Sequence, residues 1–144
     1  VKNNLFKEID HKADIAYEVK AKDLDELVKD VISILLENSE ESNQEESTES
    51  VSFRFPSCLE DLQKTTKKCY NIDTSVPGKF IDDFFDMVND IILKMDSGYF
   101  PLNSEGTCVY FSRKRVALRI KALTYHGLKV EIDEDISLRM VFDV

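Results

Sequence analysis

Residues 80–95 read Phe80-Ile81-Asp82-Asp83-Phe84-Phe85-Asp86-Met87-Val88-Asn89-Asp90-Ile91-Ile92-Leu93-Lys94-Met95. Phe80, Ile81, Phe84, Phe85, Val88, Ile91, Ile92 and Met95 recur at helical spacing and cover a broad apolar stripe, with Asp82, Asp83, Asp86 and Asp90 mainly on the remaining face. Introduced by Pro77-Gly78, the pattern predicts a central buried helix over about 79–96. Asp82, Asp86 and Asp90 follow i, i+4, i+8 and so line one helical face. Nothing nearby supplies convergent ligands, so the four aspartates read as a solvated face rather than a metal site.

On the C-terminal side of this helix the period changes to two. Val109 and Phe111 open a strand, and Val116, Leu118, Ile120 and Ala122 alternate with Ala117, Arg119, Lys121 and Leu123. Leu128, Val130 and Ile132 resume after Gly127, and Asp133-Glu134-Asp135 makes a polar turn. Ile136, Leu138, Met140, Phe142 and Val144 form a last strand, with Arg139 and Asp143 on its other side. On the N-terminal side, Ile15, Tyr17 and Val19 alternate with polar neighbours, which puts Asp14 on the polar parity. Asp23 and Glu26 form an aspartate version of the capping box ahead of Leu24, Leu27, Val28, Val31, Ile34 and Leu35, predicting a helix over about Leu24 to Glu37. Val51 to Phe55 alternates as a short strand ended by Pro56. Leu59 and Leu62 allow a helical turn, while residues 65–68 and 71–78 read as loop. The order predicts an α+β domain, two main helices packed on a mostly antiparallel sheet.

The 144 residues suffice for one domain with a proper core, since a chain of this length buries roughly 70% of its unfolded surface. No apolar run approaches a membrane span, and the first residues lack the apolar centre of a signal peptide, so a cytoplasmic protein is expected. Of the net charge of −9, six units come from the glutamates between Glu37 and Ser50, a stretch with no basic or apolar residue. This reads as a polar acidic insert at about 38–50, a solvated loop or disordered. Gly106 to Val130 holds Arg113, Lys114, Arg115, Arg119, Lys121 and Lys129 without an acid: a solvated edge or a docking stripe. The overall acidity argues against unaided RNA binding. Cys58, Cys69 and Cys108 form no CxxC pair and are expected as reduced thiols, with no disulfide-linked partner.

Nucleotide-binding glycine motifs, zinc-ligand spacings and nucleophile elbows are absent. What remains is His11 in His11-Lys12-Ala13-Asp14, and His126 in Lys121-Ala122-Leu123-Thr124-Tyr125-His126-Gly127. Each histidine fits either a backbone-bonded turn or an acid/base role. Asp14 and Asp143 lie on the polar parity of strands near opposite ends of the sequence. If those strands are neighbours, two carboxylates and a backbone oxygen of Val144 offer hard donors suited to Ca²⁺ or Mg²⁺. Two surface aspartates are the plainer reading.

Three motifs together resemble the archease family: Ile9-Asp10-His11-Lys12-Ala13-Asp14-Ile15, similar to its H-T-A-D opening; Lys121 to His126, similar to its K-A-x-T-Y-H stretch; and the terminal Val141-Phe142-Asp143-Val144. Lys12 stands where the family usually has Thr, the tryptophan often found in the long helix is missing, and residues 37–78 do not match. The resemblance implies a single archease-like domain over 1–144. It implies an accessory protein, not an enzyme, for the GTP-dependent RNA-splicing (tRNA) ligase, promoting guanylylation of the ligase and multiple turnover. RNA would be met only through the ligase. It further implies a divalent metal, calcium or magnesium, held by Asp14, Asp143 and Val144, with Lys121, His11 and His126 facing the partner. The competing readings are a metal-free interaction or chaperone-like domain and a metal-dependent phosphohydrolase using either histidine as acid/base.

Overall fold

The computed structural model describes residues 14–41 and 65–144. His11, the Val51–Phe55 strand and the Leu59–Leu62 turn lie outside the described residues. Strand β1 (Asp14–Ala21) leads into helix α1 (Leu24–Glu37), strands β2 (Ser39–Glu41) and β3 (Thr66–Cys69), and helix α2 (Pro77–Asp96). Strands β4 (Tyr99–Glu105), β5 (Cys108–Arg113), β6 (Val116–Leu118), β7 (Ala122–Leu123), β8 (Lys129–Ile132) and β9 (Ile136–Asp143) follow. The class is α+β, as the periodicity predicted.

Both helices start and end for local reasons. The Asp23 side chain accepts from the Glu26 N–H at 2.9 Å, satisfying one of the free donors of the first turn of α1. Glu26 reaches back to the Lys22 N–H at 2.7 Å, one residue earlier than a regular capping box requires. Asn38 ends α1: its Nδ2 donates to Ile34 O at 2.8 Å and to the Tyr17 hydroxyl at 2.9 Å. Pro77 occupies the first turn of α2, where a missing N–H costs nothing. Phe80, Phe84, Met87, Val88, Ile91, Ile92 and Met95 of α2 are all buried.

The expected single sheet is three antiparallel sheets among the described residues. The largest has β9 at its centre, with β1 along one edge and β7 and β8 sharing the other; β2 pairs with β6, and β5 lies between β3 and β4. The inner face of β9 carries Ile136, Leu138, Met140 and Phe142, each at most 6% exposed. They meet α1 and α2 in a single cluster. Burial of this kind stabilises by about 25 cal/mol per Å² of apolar surface removed from water.

Four further expectations change. The run Val116 to Leu123 is not one strand: β6 pairs with β2 and β7 with β9. The parity switches between them, so Leu123 is buried and Ala122 half-buried. Residues 39–41, read as the start of a solvated insert, form β2 against β6. Residues 65–68 read as loop, but Thr66–Cys69 form β3, an edge strand that is exposed throughout and therefore carries no hydrophobic alternation. Finally, Cys69 and Cys108 are register partners on β3 and β5 and are joined by a disulfide. Spacing along the chain carried no trace of that pairing, because β3 was not legible as a strand.

Of the four aspartates of α2 read as a solvated face, Asp82 and Asp86 are exposed, whereas Asp83 and Asp90 are half-buried. Asp90 accepts from the Tyr70 hydroxyl at 2.6 Å and lies within 3.5 Å of Lys68 and Lys94. Burial pushes the Asp90 carboxyl up, but the Tyr70 hydrogen bond and the two ammonium groups outweigh it and hold the carboxyl below the usual range. Asp83 binds Lys79 and the Asp73 N–H. Asp82 accepts from the Tyr125 hydroxyl at 2.8 Å.

Candidate functional site

Strands β1 and β9 pair along their whole length, and the register sets Asp14 opposite Asp143. Residues directly opposite in an antiparallel pair project to the same face with Cβ atoms about 5 Å apart. The face is the outer one, since Ile15 and Phe142, the next pair inward along the ladder, turn to the core side. Asp14 is exposed and Asp143 half-buried. On the other edge of β9, Asp143 is opposite Ala122, whose methyl leaves the carboxylate uncrowded. Neither aspartate has a cationic partner within salt-bridge distance among the described residues. Two like charges directly opposite destabilise a sheet, so the pair is a cost that a bound cation would offset.

The Lys121–Gly127 segment closes this end of the sheet. The Lys121 N–H donates to Asp143 O at 2.7 Å, which fixes the lysine backbone one residue from the acidic pair. The Thr124 N–H and hydroxyl both donate to Val141 O, at 2.9 and 3.0 Å. The Tyr125 hydroxyl donates to Asp82, and the ring packs edge-on to Phe85 at 5.3 Å. A Cβ on Gly127 would collide with the Val141 side chain, so the turn lies close on the outer face of β9. Thr124, Tyr125 and Gly127 are therefore anchors, while the Lys121 and His126 side chains are exposed. The turn carrying His126 is closed by the Leu128 N–H donating to Tyr125 O at 3.2 Å.

The basic stripe is not one surface. Arg113 stacks over Tyr99 and Lys114 over Phe100, the latter at 4.6 Å from the ring centre. Arg115 donates to Asp96 O at 3.2 Å and Arg119 to the Asn38 side chain at 3.2 Å. Lys121 and Lys129 are the two members of the stripe whose side chains make no ion pair, hydrogen bond or ring contact among the described residues.

One contributor escaped the sequence reading. Asn89 of α2 donates from Nδ2 to Leu123 O at 3.3 Å and accepts the Leu123 N–H on Oδ1 at 2.8 Å. It does for the free edge of β7 what a further strand would do. As a donor set, Asp14, Asp143 and a backbone oxygen of Val144 are all hard oxygens, matching Ca²⁺ or Mg²⁺ and not the nitrogen and sulfur sites of zinc. No group of three or more His, Cys, Asp or Glu side chains converges among the described residues. Two carboxylates leave most of the six to eight Ca²⁺ positions to water or to a partner.

These features define a class: a small α+β domain presenting an acidic cross-strand pair, with a lysine beside it, at one end of a sheet. The chain belongs to the Archease protein family (MTH1598/TM1083), whose family model matches residues 6–144. The match includes residues 37–78, where no resemblance was legible. Protein archease of Thermotoga maritima is 35% identical over 144 residues, covering 95% of this chain and 98% of that protein. The crystal structure of an archease from Thermotoga maritima, described as a possible chaperone, superposes with a TM-score of 0.60 at 29% identity and covers 93% of each chain. No helix among the described residues is long and apolar enough to cross a membrane.

Proposed function

We propose that this chain is a cytoplasmic, non-catalytic accessory protein of the GTP-dependent RNA-splicing (tRNA) ligase. In this reading it promotes guanylylation of the ligase and multiple turnover in tRNA splicing or RNA repair. The observation that carries the reading is the opposition of Asp14 and Asp143 on an exposed sheet face, in a chain of the archease family. Asp14, Asp143 and the Val144 backbone oxygen would hold a divalent cation, Ca²⁺ or Mg²⁺. A cation held by two carboxylates keeps coordination positions open for oxygen atoms of a partner or a phosphate.

Lys121 supplies a compact positive charge beside the pair, suited to a phosphate or a carboxylate of the ligase. His126, exposed on the neighbouring turn, completes the partner-facing edge, with His11 assigned there by motif alone. RNA reaches the chain through the ligase, in keeping with the net charge of −9. In the cytoplasm the Cys69–Cys108 bridge would face reducing conditions.

The test adds the purified chain to an RNA-splicing ligase with GTP and a divalent metal, under multiple-turnover conditions. Joined product should rise with the parent, fall back to the ligase-alone level with Asp14→Ala or Asp143→Ala, and drop severalfold while staying above that level with Lys121→Ala. Stimulation undiminished in all three variants refutes the assignment. Turnover of phosphoesters by the isolated chain, lost in the aspartate variants, would favour the hydrolase instead.

A further inference from the structure

We infer that Asn89 is a positioning residue, through which helix α2 sets the place of Lys121 relative to the acidic pair; this rests on the accessory reading above. Leu123 is 1% exposed, so its backbone N–H and C=O must find partners inside the protein. Strand β7 has only two residues and pairs with β9 on one edge alone. On the other edge the carboxamide of Asn89 both donates to Leu123 O and accepts from its N–H. That pairing uses a donor and an acceptor on separate atoms of one short side chain, as the asparagine carboxamide supplies them.

The consequence runs along the backbone in two steps. With Leu123 held, Ala122 is kept opposite Asp143, and the Lys121 N–H reaches Asp143 O at 2.7 Å. The chain leaves β6 just upstream, where the Arg119 N–H still donates to Asn38 O at 2.8 Å, and enters a different sheet, so the bond from the Lys121 N–H is its first tie to the sheet that carries the acidic pair. Downstream, Tyr125 is tied to Asp82 and Phe85 of the same helix. Asp82, Phe85 and Asn89 thus form one face of α2 that grips the segment on both sides of Thr124, just downstream of Ala122. Asn89 is the member that acts on backbone atoms, and its effect is transmitted toward Lys121.

Amide hydrogen exchange on the full chain tests the clamp without any ligase. Asn89→Ala should speed exchange at the Leu123 amide by about tenfold, the scale of one lost hydrogen bond, and should also speed it at Lys121, whose amide bonds Asp143 and not Asn89. Asn89→Asp keeps the acceptor and loses the donor, so it should protect Leu123 better than the alanine variant; it also serves if the alanine variant folds poorly. Unchanged exchange at Leu123, or acceleration confined to Leu123, overturns the inference.

A double-mutant cycle then reads the role in function. Asn89→Ala should cut ligase stimulation severalfold in the parent and add no further loss in a Lys121→Ala background. Losses that simply multiply would mark a general structural effect and overturn the positioning role. A parent chain that stimulates no ligase defeats the accessory reading, while the exchange arm still decides the clamp.

Discussion

Replacing Asp143 by Asn removes one charge from a like-charged pair while keeping the size of the side chain, and the sign of the effect on stability should depend on whether metal is present. Asp14 and Asp143 are direct register partners with no cation in salt-bridge reach among the described residues. Relief of a cross-strand repulsion of this kind contributes about 0.5 kcal/mol. For a chain of 144 residues, about 1 kcal/mol corresponds to roughly 3 °C in Tm. In EDTA the Asp143→Asn protein should therefore melt about 1–2 °C above the parent, and the gain should shrink as salt rises, because exposed charges are screened within about 10 Å at 0.1 M. With Ca²⁺ at about 100 times its dissociation constant the parent should gain about 2.7 kcal/mol, near 8 °C, and the variant little. The two melting curves should cross in order on adding metal. Scanning calorimetry with and without Ca²⁺, repeated with Mg²⁺, makes the measurement. A variant less stable than the parent in EDTA refutes the repulsion, and a parent whose Tm neither ion moves refutes the cation site.

Three other outcomes follow from the packing around the site. Alkylation of the denatured, unreduced chain should add one tag, at Cys58, and three after reduction; three tags before reduction would contradict the Cys69–Cys108 bridge. Tyr70→Phe should cost about 1 kcal/mol at neutral pH by removing the 2.6 Å bond to Asp90, a modest figure for a partly exposed group. The Asp90 carboxyl is held below its ordinary value of 3.8 in the folded state, so its stabilisation is full above that value and is lost as pH falls through the lower folded one. Parent and Tyr70→Phe unfolding curves should accordingly converge at low pH, and a constant gap down to pH 2 would exclude Asp90 as the cause. Gly127→Ala should destabilise by about 1–3 kcal/mol through collision with Val141, the usual cost of overpacking, and an unchanged Tm in thermal melts would mean the turn stands off β9.

The elements that read clearly in the sequence share one property, a hydrophobic period long enough to exceed local noise. Helix α1 runs from Leu24 to Glu37 as its periodicity predicted, and β9 buries Ile136, Leu138, Met140 and Phe142 as its alternation required. Strand β3 carried no such signal, because Thr66, Lys67, Lys68 and Cys69 are all exposed and present no alternation of apolar and polar residues. Its partner Cys108 was therefore invisible as well. The split of Val116–Leu123 into β6 and β7 failed for the opposite reason. Alternation was present throughout, but a chain that crosses from one sheet to another can change parity at the crossing, and residues alone do not mark where that happens.

The same distinction explains which part of the site was legible. Asp14 and Asp143 stood out because each is a charge on the polar parity of an amphipathic strand, and closeness of the two strands followed once they paired. In Lys121 to Gly127, chemistry-bearing residue types crowd together, yet the structure sorts them into two groups: Thr124, Tyr125 and Gly127 bind the domain, while Lys121 and His126 face outward. A motif read as one functional string is half scaffold. Asn89 reverses the case, since an asparagine on the flank of an apolar helix has no periodic signature, and its contribution appears only when a buried backbone edge such as that of Leu123 is asked where its hydrogen bonds go. Exposed and unpaired side chains mark where a partner would touch this domain, and the satisfied ones behind them determine how far Lys121 stands from the acidic pair.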